Sequence, residues 1–146
     1  MNKPEGYAVD AAAGERLHFS GAEFVIRAAA DTTNGAFSIV EEIDPLDTPR
    51  HVHRHEDELF FIIEGDHVFS IGDAEFRVGP GATVFAPRGV PHEHRRIVPR
   101  TGRFLTMLSP AGFEGFFREL SHAEAAGADM PKTYREASER YGISWL

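Results

Sequence analysis

The stretch Pro49–Gly65, PRHVHRHEDELFFIIEG, sets three histidines at alternate positions, follows them with a run of acids, and ends in an uninterrupted apolar segment. On an extended backbone, side chains two residues apart leave the same face, so His51 and His53 project together and can converge on one ion. His55 shares that parity only where the strand continues. The charged run Arg54–Asp57 has the character of a hairpin turn, which would carry His55 away and bring Glu58 back beside the two histidines. In the segment that follows, Glu58, Phe60 and Ile62 share one face, and Leu59, Phe61 and Ile63 the other. Both faces are apolar enough to need cover, one from a barrel lumen and the other from a second sheet or a second subunit.

Outward from this segment, short apolar runs recur between Gly21 and Leu108. Turn residues break them at Asn34-Gly35, Asp44-Pro45, Glu64-Gly65-Asp66, Gly72-Asp73, Gly79-Pro80-Gly81 and Pro87-Arg88-Gly89. Breaks at this spacing predict an all-β sandwich or barrel of antiparallel strands, the clearest at 22–28, 36–43, 58–63, 67–71, 74–78, 83–86 and 103–108. After Ser109-Pro110 the periodicity changes. Phe113, Phe116, Phe117 and Leu120 fall on one stripe and predict a helix over about 112–125. A second over about 132–141 groups Tyr134, Ala137 and Tyr141 and ends at Gly142. Both helices are expected to pack on the barrel, their aromatics filling core, with a substrate-covering role for Phe113–Phe117 as the alternative.

Composition narrows the functional classes. The 146 residues are 42% hydrophobic and suit one domain over 1–146, with a barrel core at about 20–110 and a helical segment at about 111–146. A net charge of -8, from 23 acidic and 15 basic side chains, opposes a phosphate backbone, so no nucleic-acid partner is expected. The N-terminal MNKPEGYAVDAAAG has no signal-peptide pattern and no apolar run is long enough to span a bilayer, which predicts a cytoplasmic chain with no membrane partner. With no cysteine, any metal must be held by imidazole and carboxylate.

A second histidine cluster lies in GATVFAPRGVPHEHRR, Gly81–Arg96, where the Pro87-Arg88-Gly89 break starts a new strand carrying His92 and His94 on one face. On residues alone, either completes a site with His51 and His53.

Here the chain resembles the cupins, and in particular small single-domain cupins similar to bacterial quercetin dioxygenases. Their first motif is matched by His51-Val52-His53, then Glu58 after four residues and Gly65 after six more. Their second is matched by Gly81, Pro87-Arg88-Gly89 and His92. Two positions depart from it: Pro45 stands where a glycine is usual, and Arg96 replaces the closing asparagine. The resemblance implies a jelly-roll β-barrel and one divalent transition metal ion (Fe, Mn, Ni, Co, Cu or Zn) held by His51, His53, Glu58 and His92, with His55 and His94 outside the ligand set. His55, Glu56, Asp57 and His67 are expected in solvent. His94 is expected either behind the ligands or on the pocket wall, or else at the surface.

The same resemblance implies a metal-dependent dioxygenase acting on a small aromatic or enolic substrate, with Glu58 both ligand and proton acceptor. Phe60, Phe85, Phe113 and Phe117 are candidate pocket walls. A metal-dependent isomerase, lyase or decarboxylase and a non-catalytic binding barrel are the alternatives. The two-sided apolar strand predicts a homodimer.

Overall fold

The computed structural model describes residues 5–99 and 101–146; the first residues of the N-terminal stretch read above lie outside this range. Among the described residues, eleven strands form a pair of sheets and two helices precede the last strand. The first runs β1 (Glu15–Phe19), β2 (Ala22–Ala28), β3 (Ser38–Ile43), β10 (Arg103–Ser109), β5 (Asp57–Glu64), β8 (Thr83–Ala86). The second runs β11 (Ile143–Trp145), β4 (Thr48–His53), β9 (His92–Arg96), β6 (His67–Ile71), β7 (Ala74–Val78). All pairings are antiparallel. The antiparallel β architecture expected from the turn spacing is present, in the jelly-roll form that the resemblance implied.

Alternation explains what each strand contributes to the interior. On β5, Glu58, Phe60 and Ile62 point inward and are buried, and they sit beside Phe104 of β10 and Val84 and Ala86 of β8. With Phe69 these form the apolar floor at one end of the barrel. The opposite face of β5 is not covered by the second sheet, and Phe61 is 43% exposed on it. Phe85, proposed as a pocket wall, is 55% exposed on the outer side of β8, because β8 follows the same two-residue rhythm and spends its inward positions on Val84 and Ala86.

The other end of the barrel is closed by the C-terminal segment. Helix α1 spans Glu114–Ala125 and α2 Met130–Tyr141, close to the expected ranges. Phe113, Phe116 and Leu120 pack with Phe19, Phe24, Val40 and Leu108 in a second core cluster. Asp129 caps α2 by accepting from the Lys132 backbone N–H at 3.1 Å, and Pro131 occupies the first turn, where its missing N–H costs nothing. Gly142 ends α2 with φ 73°, a conformation that penalises any Cβ.

That turn sends the chain back as β11, a strand the sequence pattern did not reveal. Pairing sets Ile143 opposite His53 and Trp145 opposite His51. β1 was likewise missed, so the sheet begins at Glu15 rather than about residue 20.

Candidate metal centre

β4 and β9 lie side by side, with His51 directly opposite His92, and β5 faces them from the other sheet. His51, His53, Glu58 and His92 are all buried, and one ligand atom from each lies within 4.8 Å of all the others. The turn after His53 separates the third histidine of the opening stretch as the charge pattern implied: His55 is exposed.

The hydrogen bonds of the imidazoles fix which nitrogen faces inward. A carbonyl oxygen only accepts, so His51 Nδ1–H donates to Pro49 O at 2.7 Å, and His92 Nδ1–H donates to Val90 O at 3.1 Å. His53 Nδ1 lies 3.5 Å from the Glu56 carboxylate, a contact too long and poorly aligned to count as a hydrogen bond. The outer nitrogens of His51 and His92 are thus occupied, and Nε2 atoms face the carboxylate, His92 Nε2 at 2.7 Å and His53 Nε2 at 3.2 Å from Glu58 Oε2. Lone pairs facing a carboxylate at these distances repel unless protons or a cation lie between them. The donor set therefore fits a divalent metal, the outer hydrogen bonds being those that orient imidazole ligands.

Protonation preferences reflect the same crowding. Burial, together with the neighbouring His92, lowers His51 to about 4. Burial acts the same way on His53, but the charges of Glu58 and Glu56 overcome it and raise this histidine. Glu58 is pushed up by burial and more strongly down by His53, His92 and His51, and comes to rest at about 2. It is a carboxylate suited to holding a cation.

Two residues assigned to solvent are buried. Glu56 is 7% exposed because it folds back under His53. His67 is fully buried: its Nε2–H donates to Glu64 O at 2.9 Å, and its Nδ1 lies 2.9 Å from His94 Nε2. Gly102 passes so close to this ring that a Cβ there would fall 2.6 Å from His67 Cε1. Asp57 is half-buried, held by Arg88 at 3.1 Å. His94 takes the interior alternative. It is buried, donates from Nδ1 to Leu46 O at 3.1 Å, and forms part of the cavity wall. Burial and His67 lower it to about 4.

The cavity over these four side chains has a volume of about 80 Å³. Phe60, Phe113 and Phe117 line it as expected, and Phe104, Trp145 and Glu42 line it unannounced. Trp145 stacks at a tilt on His51, with ring centroids 5.0 Å apart. Glu42 accepts a 2.7 Å hydrogen bond from the Thr106 hydroxyl. Burial, abetted by the Glu58 charge and opposed by Thr106, pushes its carboxyl up to about 7.

Residues 40–108 match the family model described as Cupin domain. Both histidine motifs lie within that span. The barrel has the cupin fold. Solved structures similar to it are KdgF from Halomonas sp. (TM-score 0.65, 16% identity, covering 76% of this chain and 99% of that one) and an RmlC-like cupin from Shewanella frigidimarina (TM-score 0.63, 17% identity, 76% and 96%). Pac13, a nucleoside dehydratase from Streptomyces, is also similar (TM-score 0.60, 12% identity, 76% and 88%). At such identities the likeness is one of fold. An uncharacterized protein of Methanocaldococcus jannaschii is 29% identical over 62 residues, 41% of this chain, and the cupin spans about half the length of that curated relative.

Among the described residues, no helix is long and apolar enough to cross a membrane.

Proposed function

We propose that this cupin is a metal-dependent oxidoreductase of dioxygenase type, acting on a small aromatic or enolic molecule within the barrel. The observation that carries the proposal is the convergence of three buried imidazoles and one carboxylate on a shared point, beside a cavity walled by phenylalanines. His51, His53, Glu58 and His92 would hold a single ion of Fe, Mn, Ni, Co, Cu or Zn, a ligand set without sulfur that several of these metals accept. Such an ion, when bound, supplies Lewis acidity and a template for an oxygen donor. The chain's own part is to fix the imidazoles through their outer nitrogens, keep water out with Phe113 and Trp145, and move the substrate's proton. Glu58 is one acceptor for that proton. Glu42, at about 7, is the more basic carboxyl in the cavity and better matched to proton transfer near neutral pH.

We further infer that residues 1–146 act as one domain, that the protein works in the cytoplasm on a small molecule without nucleic acid or membrane, and that it pairs as a homodimer. The exposed outer faces of β5 and β8, with Phe61 and Phe85, support the pairing. Light scattering is expected to give twice the mass of the chain, and a clean monomer overturns the dimer.

The enzymatic reading is tested by elemental analysis of the purified protein, followed by oxygen uptake after reconstitution with each metal. Consumption of dioxygen with a flavonol or related enol is expected. Turnover that proceeds equally well without oxygen favours an isomerase or lyase. Tight binding with no chemical change favours a carrier.

A further inference from the structure

A second cavity, of about 380 Å³, adjoins the metal chamber and shares Glu42, Thr48, Phe116, Phe117 and Trp145 with it. The walls that belong to this outer cavity alone come from β1 and β2 (Phe19, Phe24), the segment before β4 (Leu46), and α2 (Tyr134). Phe19 and Phe24 are stacked at 4.4 Å, and Phe117 lies 5.0 Å from Phe24, so the cavity is faced by flat aromatic surface. The metal chamber is too small for more than the reacting end of a ring compound, while the outer cavity is several times larger.

Charge defines what fits. Among the described residues lining the two cavities there is no lysine or arginine. Asp47, at the rim, is engaged by Arg96, whose backbone N–H donates to it at 2.8 Å. Glu41, next to Glu42 but on the outer face of β3, is neutralised by Arg27 at 2.6 Å and Arg103 at 2.5 Å. Among the described residues Glu42 has no such partner and receives only the Thr106 hydroxyl. A carboxyl kept in an apolar wall without a cation costs stability, and its second oxygen is left for a partner the fold does not supply.

We propose that the outer cavity is the subsite for the uncharged apolar body of the substrate, and that Glu42, at the junction of the two cavities, hydrogen-bonds the hydroxyl or carbonyl oxygen of its donor head. The inference rests on the metal-centred reading of the inner chamber and narrows its substrates to flat molecules with one oxygen-donor head and no distal anion. Phosphorylated and dicarboxylate compounds are disfavoured, since a second negative group would meet Glu42 with no lysine or arginine among the described lining residues to offset it.

The test uses calorimetric titration of the full chain loaded with zinc, which has no redox chemistry to consume the probe. The probes are 2-naphthol and 6-hydroxynaphthalene-2-sulfonate, which share a ring and a hydroxyl head and differ by the distal anion. We expect 2-naphthol to bind at least tenfold more tightly. Equal or tighter binding of the sulfonate overturns the proposal. Leu46→Trp, which fills the outer cavity, is expected to weaken 2-naphthol at least tenfold while zinc stoichiometry and melting temperature stay at their wild-type values. Glu42→Gln keeps a hydrogen-bonding group and is expected within threefold of wild type, and Glu42→Leu at least tenfold weaker. Wild-type affinity in both Leu46→Trp and Glu42→Leu refutes the subsite even if Glu42→Gln behaves as stated. Oxygen uptake separates the two levels of inference. Turnover together with preference for the sulfonate sinks the subsite alone, and the expected binding pattern in a protein that consumes no oxygen sinks the dioxygenase reading alone.

Discussion

Replacing Glu42 with glutamine is expected to stabilise the metal-free protein, by an amount that depends on pH. In the folded chain this carboxyl is raised from 4.5 to about 7. Its contribution to stability is therefore fully present below pH 4.5, is lost progressively as pH rises through the interval, and is absent above about 7, where the folded state must carry an ill-solvated charge. At about 1.4 kcal/mol per pH unit the full interval amounts to about 3.4 kcal/mol, and partial access of the side chain to the cavity reduces this to about 2–3 kcal/mol. Glutamine still accepts from the Thr106 hydroxyl and has no proton to lose. At pH 8 the variant should exceed wild type by about 2–3 kcal/mol, or a melting temperature higher by roughly 4–12 °C for a chain of this size. At pH 5 the gain should shrink to less than about 1 kcal/mol, because the native carboxyl is already protonated. Urea denaturation with a chelator present at the two pH values measures the difference directly. A gain of the same size at both, or one larger at pH 5, would refute the assignment of Glu42 as an uncompensated interior acid.

Other perturbations follow from the same geometry. His92→Ala removes one of the four proposed ligands and is expected to abolish stoichiometric metal retention on dialysis, read by elemental analysis; unchanged content would remove β9 from the centre. Metal should be released as pH falls below about 6, because protons compete for the imidazoles and His53 takes one more readily than an ordinary histidine. Retention of the full complement after dialysis at pH 5 would contradict that competition. Gly142→Ala forces a Cβ onto a left-handed backbone and to within 2.5 Å of His55 Cδ2, so a loss of about 1–2 kcal/mol and a change in Trp145 fluorescence are expected, both visible in one urea titration.

The sequence showed most plainly what local chemistry dictates. Two-residue alternation put His51 and His53 on one face, the charge run marked the turn that removed His55, and the 3.6-residue stripe of phenylalanines gave α1. Choosing His92 over His94 needed more than alternation, since both point inward from β9. It is the cross-strand partner that separates them, His92 lying opposite His51 while His94 turns to His67. Glu42 and His67 were legible in part. Each shares its strand's inward face with apolar residues, Val40 for Glu42, and Phe69 and Ile71 for His67, but a polar side chain in that position does not declare whether the fold will supply its hydrogen bonds. Glu56 and Trp145 depend on contacts made across the tertiary structure. Nothing in the short segment ISW distinguishes a terminal tail from the strand that lays an indole over His51.

The last strand also supplies part of the wall of the inner chamber, through Ile143 and Trp145. β11 has only three residues, and its end is tied to β4 through Leu146 N–H and Arg50 O at 3.0 Å. Peeling it away sacrifices a handful of hydrogen bonds at a sheet edge and leaves the barrel walls intact, so traffic to the histidines need not wait for the whole molecule to breathe. Amide exchange at Ser144–Leu146 should then keep pace with the arrival and departure of whatever the protein binds.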